Sequence, residues 1–137
     1  MKRVFVAGSF DMLHSGHITF LKRAAQFGEL FIGIGSDYSV KKYKGKSPVC
    51  NEQERLFMVK SVRYVLDAWI NSGEGSFDYK EDLKHIEPDI VIVNEEQTSD
   101  EKEVACKKLG IEYIILRRTQ ESGFPVRSTT KYRKLCK

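Results

Sequence analysis

The 137-residue chain predicts a single α/β domain, residues 1–137, built on a five-stranded parallel sheet. Three observations carry that reading. Short apolar runs of strand length alternate with amphipathic stretches of helical spacing. The first, second and fourth runs are almost wholly apolar, as strands covered on both faces are, and the third is less regular. No internal repeat or low-complexity tract divides the chain.

The elements follow in order. Val4 to Ala7 reads as a buried strand, left through Gly8. Ile18, Leu21, Ala24 and Ala25 fall at helical spacing, and Gly28 supplies a stop. Leu30 to Gly35 is a second buried strand ending at Ser36-Asp37. Tyr38 to Val49 reads as a polar loop with Lys41, Lys42, Lys44 and Lys46. Alone it is a solvated basic loop; at the sheet's edge it is placed to close over a triphosphate as a lid. Asn51 opens the next helix, with Glu54 three residues on and Leu56, Val59 and Val62 on one face.

Val65 to Ile70 is the third strand. Asp78 and Glu81 are spaced to cap a short helix that runs through Ile86 and stops before Pro88. Asp89 to Val93 is the fourth strand, with Asn94 at its carboxyl end. Thr98 or Ser99 caps a helix from Asp100 to Leu109, which Gly110 terminates. Ile111 to Leu116 is the fifth strand, followed by Arg117-Arg118-Thr119. Ser128-Thr129-Thr130 opens a last basic helix, where three hydroxyls serve as caps and also suit an anion.

Composition narrows the function classes. The chain is 41% hydrophobic and 31% charged, as globular proteins are, with a formal charge of +4. That excess suits a small anionic substrate, and no aromatic platform interleaved with basic residues points to nucleic acid. No apolar run is long enough for a membrane span, and Met1-Lys2-Arg3 leads into a strand rather than a signal core. A cytoplasmic location is expected. Cys50, Cys106 and Cys136 are far apart and odd in number, which indicates neither a zinc site nor a disulfide framework. Cys106 lies on a helical apolar stripe.

The stretch Gly8-Ser9-Phe10-Asp11-Met12-Leu13-His14-Ser15-Gly16-His17 carries the chemistry. It joins a strand's carboxyl end to a helix N-terminus, where open α/β sheets bind ligands and where free N–H groups favour phosphate. His14 and His17 share one helix face at this spacing, and each imidazole can donate to a phosphoryl oxygen. Two histidines alone read as cap or surface residues; the strand, glycine turn and Asp11 around them make a polyphosphate grip. A zinc site on the same pair lacks a third ligand of suitable spacing.

This block resembles the Gly-Thr-Phe-Asp-x-x-His-x-Gly-His signature of the cytidylyltransferase-like nucleotidyltransferases, with Ser9 keeping the hydroxyl of the usual Thr. That superfamily includes glycerol-3-phosphate cytidylyltransferase, archaeal FAD synthetase and the ADP-heptose nucleotidyltransferases. Lys44-Gly45-Lys46-Ser47-Pro48-Val49 is similar to the heptose branch, and Arg55 matches an arginine that the family uses near the nucleotide. Arg118-Thr119 and Ser128-Thr129-Thr130 resemble the two ends of the family's Arg-Thr-x-Gly-x-Ser-Thr-Thr block, with a longer Gln120 to Arg127 between them. The residues after the fourth strand depart from the family, which often has Gly-Asp there.

The resemblance implies a Rossmann-like three-layer domain with strand order 3-2-1-4-5, frequently dimeric. It also implies nucleotidyl transfer, in which a phosphorylated acceptor attacks the α-phosphorus of ATP or CTP and pyrophosphate leaves. His14, His17 and Lys46 would act at the reacting phosphates. Gly8, Ser9, Phe10, Asp11, Lys44, Arg55, Arg118, Thr119, Ser128, Thr129 and Thr130 would bind the nucleotide, and Asp37, Asn94 and Arg127 would face the acceptor. Magnesium is expected on the nucleotide phosphates, since it is seldom held by an all-protein cage. A sugar phosphate of the heptose kind is the expected acceptor. The alternatives are glycerol phosphate with CTP, FMN adenylylation, and a non-catalytic nucleotide-binding regulatory domain.

Overall fold

The computed structural model describes residues 1–118 together with Phe124, Pro125 and Ser128. Five parallel strands form one sheet: β1 (Arg3–Gly8), β2 (Glu29–Ile34), β3 (Asp67–Ile70), β4 (Ile90–Asn94) and β5 (Glu112–Leu116). Their spatial order is β3-β2-β1-β4-β5, as the family resemblance implies. Parallel pairing aligns Val4 with Leu30 on one side and with Ile90 on the other.

Uninterrupted apolar strands put side chains on both faces. In β1, Val4 and Val6 enter one core while Phe5 enters the other. β4 divides in the same way, with Ile90 and Ile92 on one side and Val91 and Val93 on the other. The first core is covered by α1 (Ser15–Ala24) and α3 (Glu52–Lys60), through Leu21, Ala24 and Val59. The second is covered by α4 (Leu83–Ile86) and α5 (Asp100–Lys108), through Leu83, Ile86 and Cys106. These two faces give the three layers. β1 sits where the connections turn from one face to the other, so the crevice beyond its carboxyl end is the natural ligand position.

Three sequence expectations are corrected. Tyr38 to Lys44 is not loop but the body of α2 (Asp37–Lys44). Ser36 caps it by accepting from the Ser39 amide, Asp37 occupies its first turn, and Lys41, Lys42 and Lys44 its last, as the helix dipole favours. Gly45, at φ 76°, closes it in the left-handed conformation open to glycine. The stretch that is loop therefore reduces to the short segment after Gly45. Asp78 is not a helix cap. Its carboxylate is buried and accepts from Ser39 and Asn71, while α4 starts only at Leu83. β3 is shorter than expected because Val65 and Leu66 precede the ladder, Leu66 with its side chain exposed.

The other caps fall as the spacing indicates. Asn51 accepts from the Glu54 amide and Ser99 from the Lys102 amide. Cys106 is fully buried. The last basic helix expected from Ser128 onward, with Cys136, lies outside the described residues. Among the described residues no helix is long and apolar enough to cross a membrane.

Candidate active site

The turn after β1 begins with a close approach. A Cβ on Gly8 would lie 2.9 Å from the ring of Phe10, so a side chain here would push that ring out of its place. Phe10 and Met12 then adopt φ of 51° and 50°, which costs non-glycine residues about 1–2 kcal/mol each. Asp11, between them, holds the turn. Its buried carboxylate accepts from the amides of Val49 (2.8 Å) and Cys50 (2.9 Å). The segment before α3 is thereby tied to the turn before α1.

His14 is the N-cap of α1 and His17 its third residue. They form a reciprocal capping box. Nδ1 of His14 accepts from the Gly16 amide at 3.1 Å, and Nδ1 of His17 accepts from the His14 amide at 3.2 Å. A neutral imidazole whose Nδ1 accepts must carry its proton on Nε2. Both rings thus consume helix-end amides and carry their protons on Nε2. Phe10 meets the His17 ring edge-on, with centroids 5.7 Å apart. Burial presses the His17 pKa down to about 3, helped by the neighbouring His14, Lys44 and Arg118 and opposed by Asp11. His17 is neutral at physiological pH.

The two rings line a pocket of about 210 Å³ at the carboxyl end of the sheet. Gly8, Ser9 and Phe10 form its floor, and Lys44, Arg23, Arg117 and Arg118 bring positive charge to its walls. Asn94 and Ser128 also line it. Lys44 donates from Nζ to Ser9 Oγ at 3.0 Å. Asn94 turns its side-chain oxygen back to the amides of Glu96 and Gln97, shaping the loop after β4. Arg118 pairs with Glu96 at 3.5 Å. Among the described residues, no group of three or more His, Cys, Asp or Glu side chains is arranged to hold a metal.

The predicted site residues thus divide. Gly8, Ser9, Phe10, His14, His17, Lys44, Asn94, Arg118 and Ser128 come together around the pocket. Asp11 and Arg55 stand behind it. Arg55 is almost wholly buried and spends its guanidinium on the Cys50 carbonyl (3.0 Å), the Ser9 carbonyl (2.8 Å) and the Asp37 carboxylate (2.8 Å). Asp37 is accordingly a partner of Arg55 and lies off the pocket wall. Lys46 is exposed on the segment after α2, also off the wall. Thr119, Arg127, Thr129 and Thr130 lie outside the described residues.

Sequence reasoning passed over Arg23, Arg117 and Gln97, which line the pocket. Arg23 falls on the last turn of α1 and donates to the Arg117 carbonyl, a contact no local pattern announces. It also passed over Lys102, buried on α5. There a signal existed, because Lys102 stands one helical turn before the inward Cys106.

Comparison with known proteins agrees with this geometry. The model of the cytidylyltransferase-like family matches residues 5–135. The FAD synthase of Aciduliprofundum boonei is 35% identical over 134 residues, covering 96% of this chain and 87% of that one. The FAD synthase of Methanohalophilus mahii is 38% identical over 108 residues, covering 78% and 72%. Among solved structures, the lipopolysaccharide core biosynthesis protein from Thermoplasma volcanium superposes with a TM-score of 0.73 at 32% identity, covering 89% of this chain and 99% of that one.

Proposed function

The chain belongs to the cytidylyltransferase-like family and is a nucleotidyltransferase, and from that premise we propose that it transfers AMP from ATP to FMN, forming FAD and releasing pyrophosphate. The observation that carries this choice of substrates is the match, along nearly the whole chain, to proteins named FAD synthase. It favours FMN adenylylation over the sugar phosphate that Lys44 to Val49 suggested. The heptose-like acceptor stays as the second reading, supported by the description of the Thermoplasma protein.

In this reaction a phosphate oxygen of FMN attacks the α-phosphorus of ATP. The bond from that phosphorus to the bridging oxygen of pyrophosphate breaks. The acceptor is already an anion, so no covalent nucleophile is needed from the protein. The protein must instead bring two polyanions together and stabilise charge at the pentavalent phosphorus. His14 and His17 serve as neutral Nε2–H donors to the phosphate oxygens, and their fixed tautomers supply that donor set without reorganisation. Lys44, Arg23 and Arg118 supply the compensating charge.

Among the described residues no side-chain group is arranged to hold magnesium, so the ion would be carried by the triphosphate, where it would screen charge. Asp11 acts in this scheme by holding the turn through the amides of Val49 and Cys50. The test is pyrophosphate release with ATP or CTP against FMN, glycerol 3-phosphate and a heptose 1-phosphate. Release with ATP and FMN is the expected result. Release with CTP and glycerol phosphate, or with the heptose phosphate alone, would replace the FMN reading.

A further inference from the structure

A smaller cavity of about 50 Å³ opens beside the nucleotide pocket. The two share Ala7, Gly8, Ser9, Lys44 and Gln97 as walls. Ser39, Asp78 and Lys102 belong to the smaller one alone. Its volume admits the edge of a molecule rather than a whole one.

Lys102 is the unusual member. It is only 7% exposed. Among the described residues its Nζ gives one hydrogen bond, 2.8 Å to the Gln97 carbonyl. An ammonium has three donors, so two are left for an occupant of the cavity. The nearby carboxylate of Asp78 is itself 8% exposed and is held by Ser39 Oγ at 3.2 Å and Asn71 Nδ2 at 3.1 Å. Burial lowers the Lys102 pKa and raises that of Asp78, while the attraction between them opposes both shifts. Holding an incompletely paired ammonium inside a protein costs stability. An apolar side chain would fill the same place on α5 more favourably, so packing alone does not account for a lysine.

Resting on the FMN reading, we propose that Lys102 determines acceptor specificity: its remaining N–H donors bind an uncharged oxygen, carbonyl or hydroxyl, on the part of the acceptor away from its phosphate. Lys44 stands at the junction, so an acceptor seated in the small cavity presents its phosphate toward the histidine pair. For FMN the oxygens available are the ring carbonyls and the ribityl hydroxyls. An acceptor without such groups would leave Lys102 unpaired, which is how a site of this kind rejects it.

The test uses the full chain with Lys102→Met, which keeps the stem and removes the donors, and Lys102→Gln, which restores one. Melting temperature, ATP affinity, and KM and kcat for FMN are measured on each. Lys102→Met should melt no lower than wild type and bind ATP within about twofold. Its KM for FMN should rise by about 10-fold or more, as expected for losing a hydrogen bond from a charged donor. Lys102→Gln should recover part of that loss. Lumiflavin, which has the ring carbonyls without the polyol, separates the two oxygen sources: weaker lumiflavin binding in Lys102→Met assigns the ring, and unchanged binding assigns the hydroxyls. An unchanged KM for FMN in Lys102→Met, or a joint fall of melting temperature and both affinities, overturns the proposal. A wild-type protein that does not adenylate FMN removes the functional reading itself, and that outcome is seen before any variant is made.

Discussion

The rings of His14 and His17 lie face to face, with centroids 3.8 Å apart and planes inclined by 28°. Stacking, burial and reciprocal capping together hold two imidazoles as one rigid donor surface. Two charged rings in such a stack would repel at close range, and His14 is among the neighbours that hold the His17 pKa down.

Replacing His17 by Ala should lower kcat by ~10²–10³-fold, the scale for one lost transition-state donor. His14 has a second duty as N-cap, so His14→Ala should also lose about 1 kcal/mol of stability. Asn is a good N-cap without a comparable reach, and His14→Asn should therefore keep the melting temperature and lose activity. Equal activity in His14→Asn and wild type would remove the donor role.

The depressed pKa of His17 predicts its titration. In the ligand-free protein its ring resonances should stay flat from pH 8 to 5 and move only toward pH 3. The unfolded chain binds a proton below pH 6.5 that the folded ring refuses. His17 therefore makes stability fall as pH drops through 6.5 toward 3. Proton NMR across that range checks the first statement, and urea unfolding at pH 7 and pH 5 checks the second. A His17 titration midpoint near 6.5 in the folded protein would contradict both.

Lys44 and Lys46 are two residues apart and should behave differently. Lys44 lines both cavities and holds Ser9, whereas Lys46 is exposed off the pocket wall. Lys44→Ala should reduce kcat/KM by ~10–100-fold, and Lys46→Ala by less than about threefold. Steady-state kinetics with ATP varied decides between them; a larger loss for Lys46 would restore the segment after α2 as a closing element.

Arg55→Met should cost ~3 kcal/mol of unfolding free energy in denaturant titration, since it leaves the Ser9 and Cys50 carbonyls without their donor. Arg55→Lys should rescue little, because an ammonium cannot reproduce the three-way fork. A loss of nucleotide affinity with unchanged stability would place Arg55 at the ligand instead.

Much of this molecule is legible in its residues. The apolar runs of β1, β2 and β4 mark central strands because a strand covered on both faces has no polar side to blur it, while the edge strands β3 and β5 carry exposed Asp67 and Glu112. Strand order was readable only through the family resemblance, since nothing in an apolar run says which neighbour it pairs with. The histidine turn was legible because cap, glycine and acid are all local. α2 was missed because only Ser39 and Val40 of its residues are buried, which leaves no apolar stripe. Its Ser36 cap and Gly45 stop are the local signals that mark it. The resemblance places Arg55 near the nucleotide and Asp37 near the acceptor, whereas their pairing across the fold is a contact that no sequence pattern announces.

Asp11 reaches across 38 positions of chain to the amide of Val49 and 39 to that of Cys50. Those two amide protons are therefore built-in gauges of the reactive turn, lying outside it and off the walls of both cavities. Their exchange with deuterium reports whether the turn is clasped. A variant that leaves the sheet intact but exchanges Val49 and Cys50 quickly has lost its catalytic geometry without losing its fold, and an activity assay alone would not separate those losses.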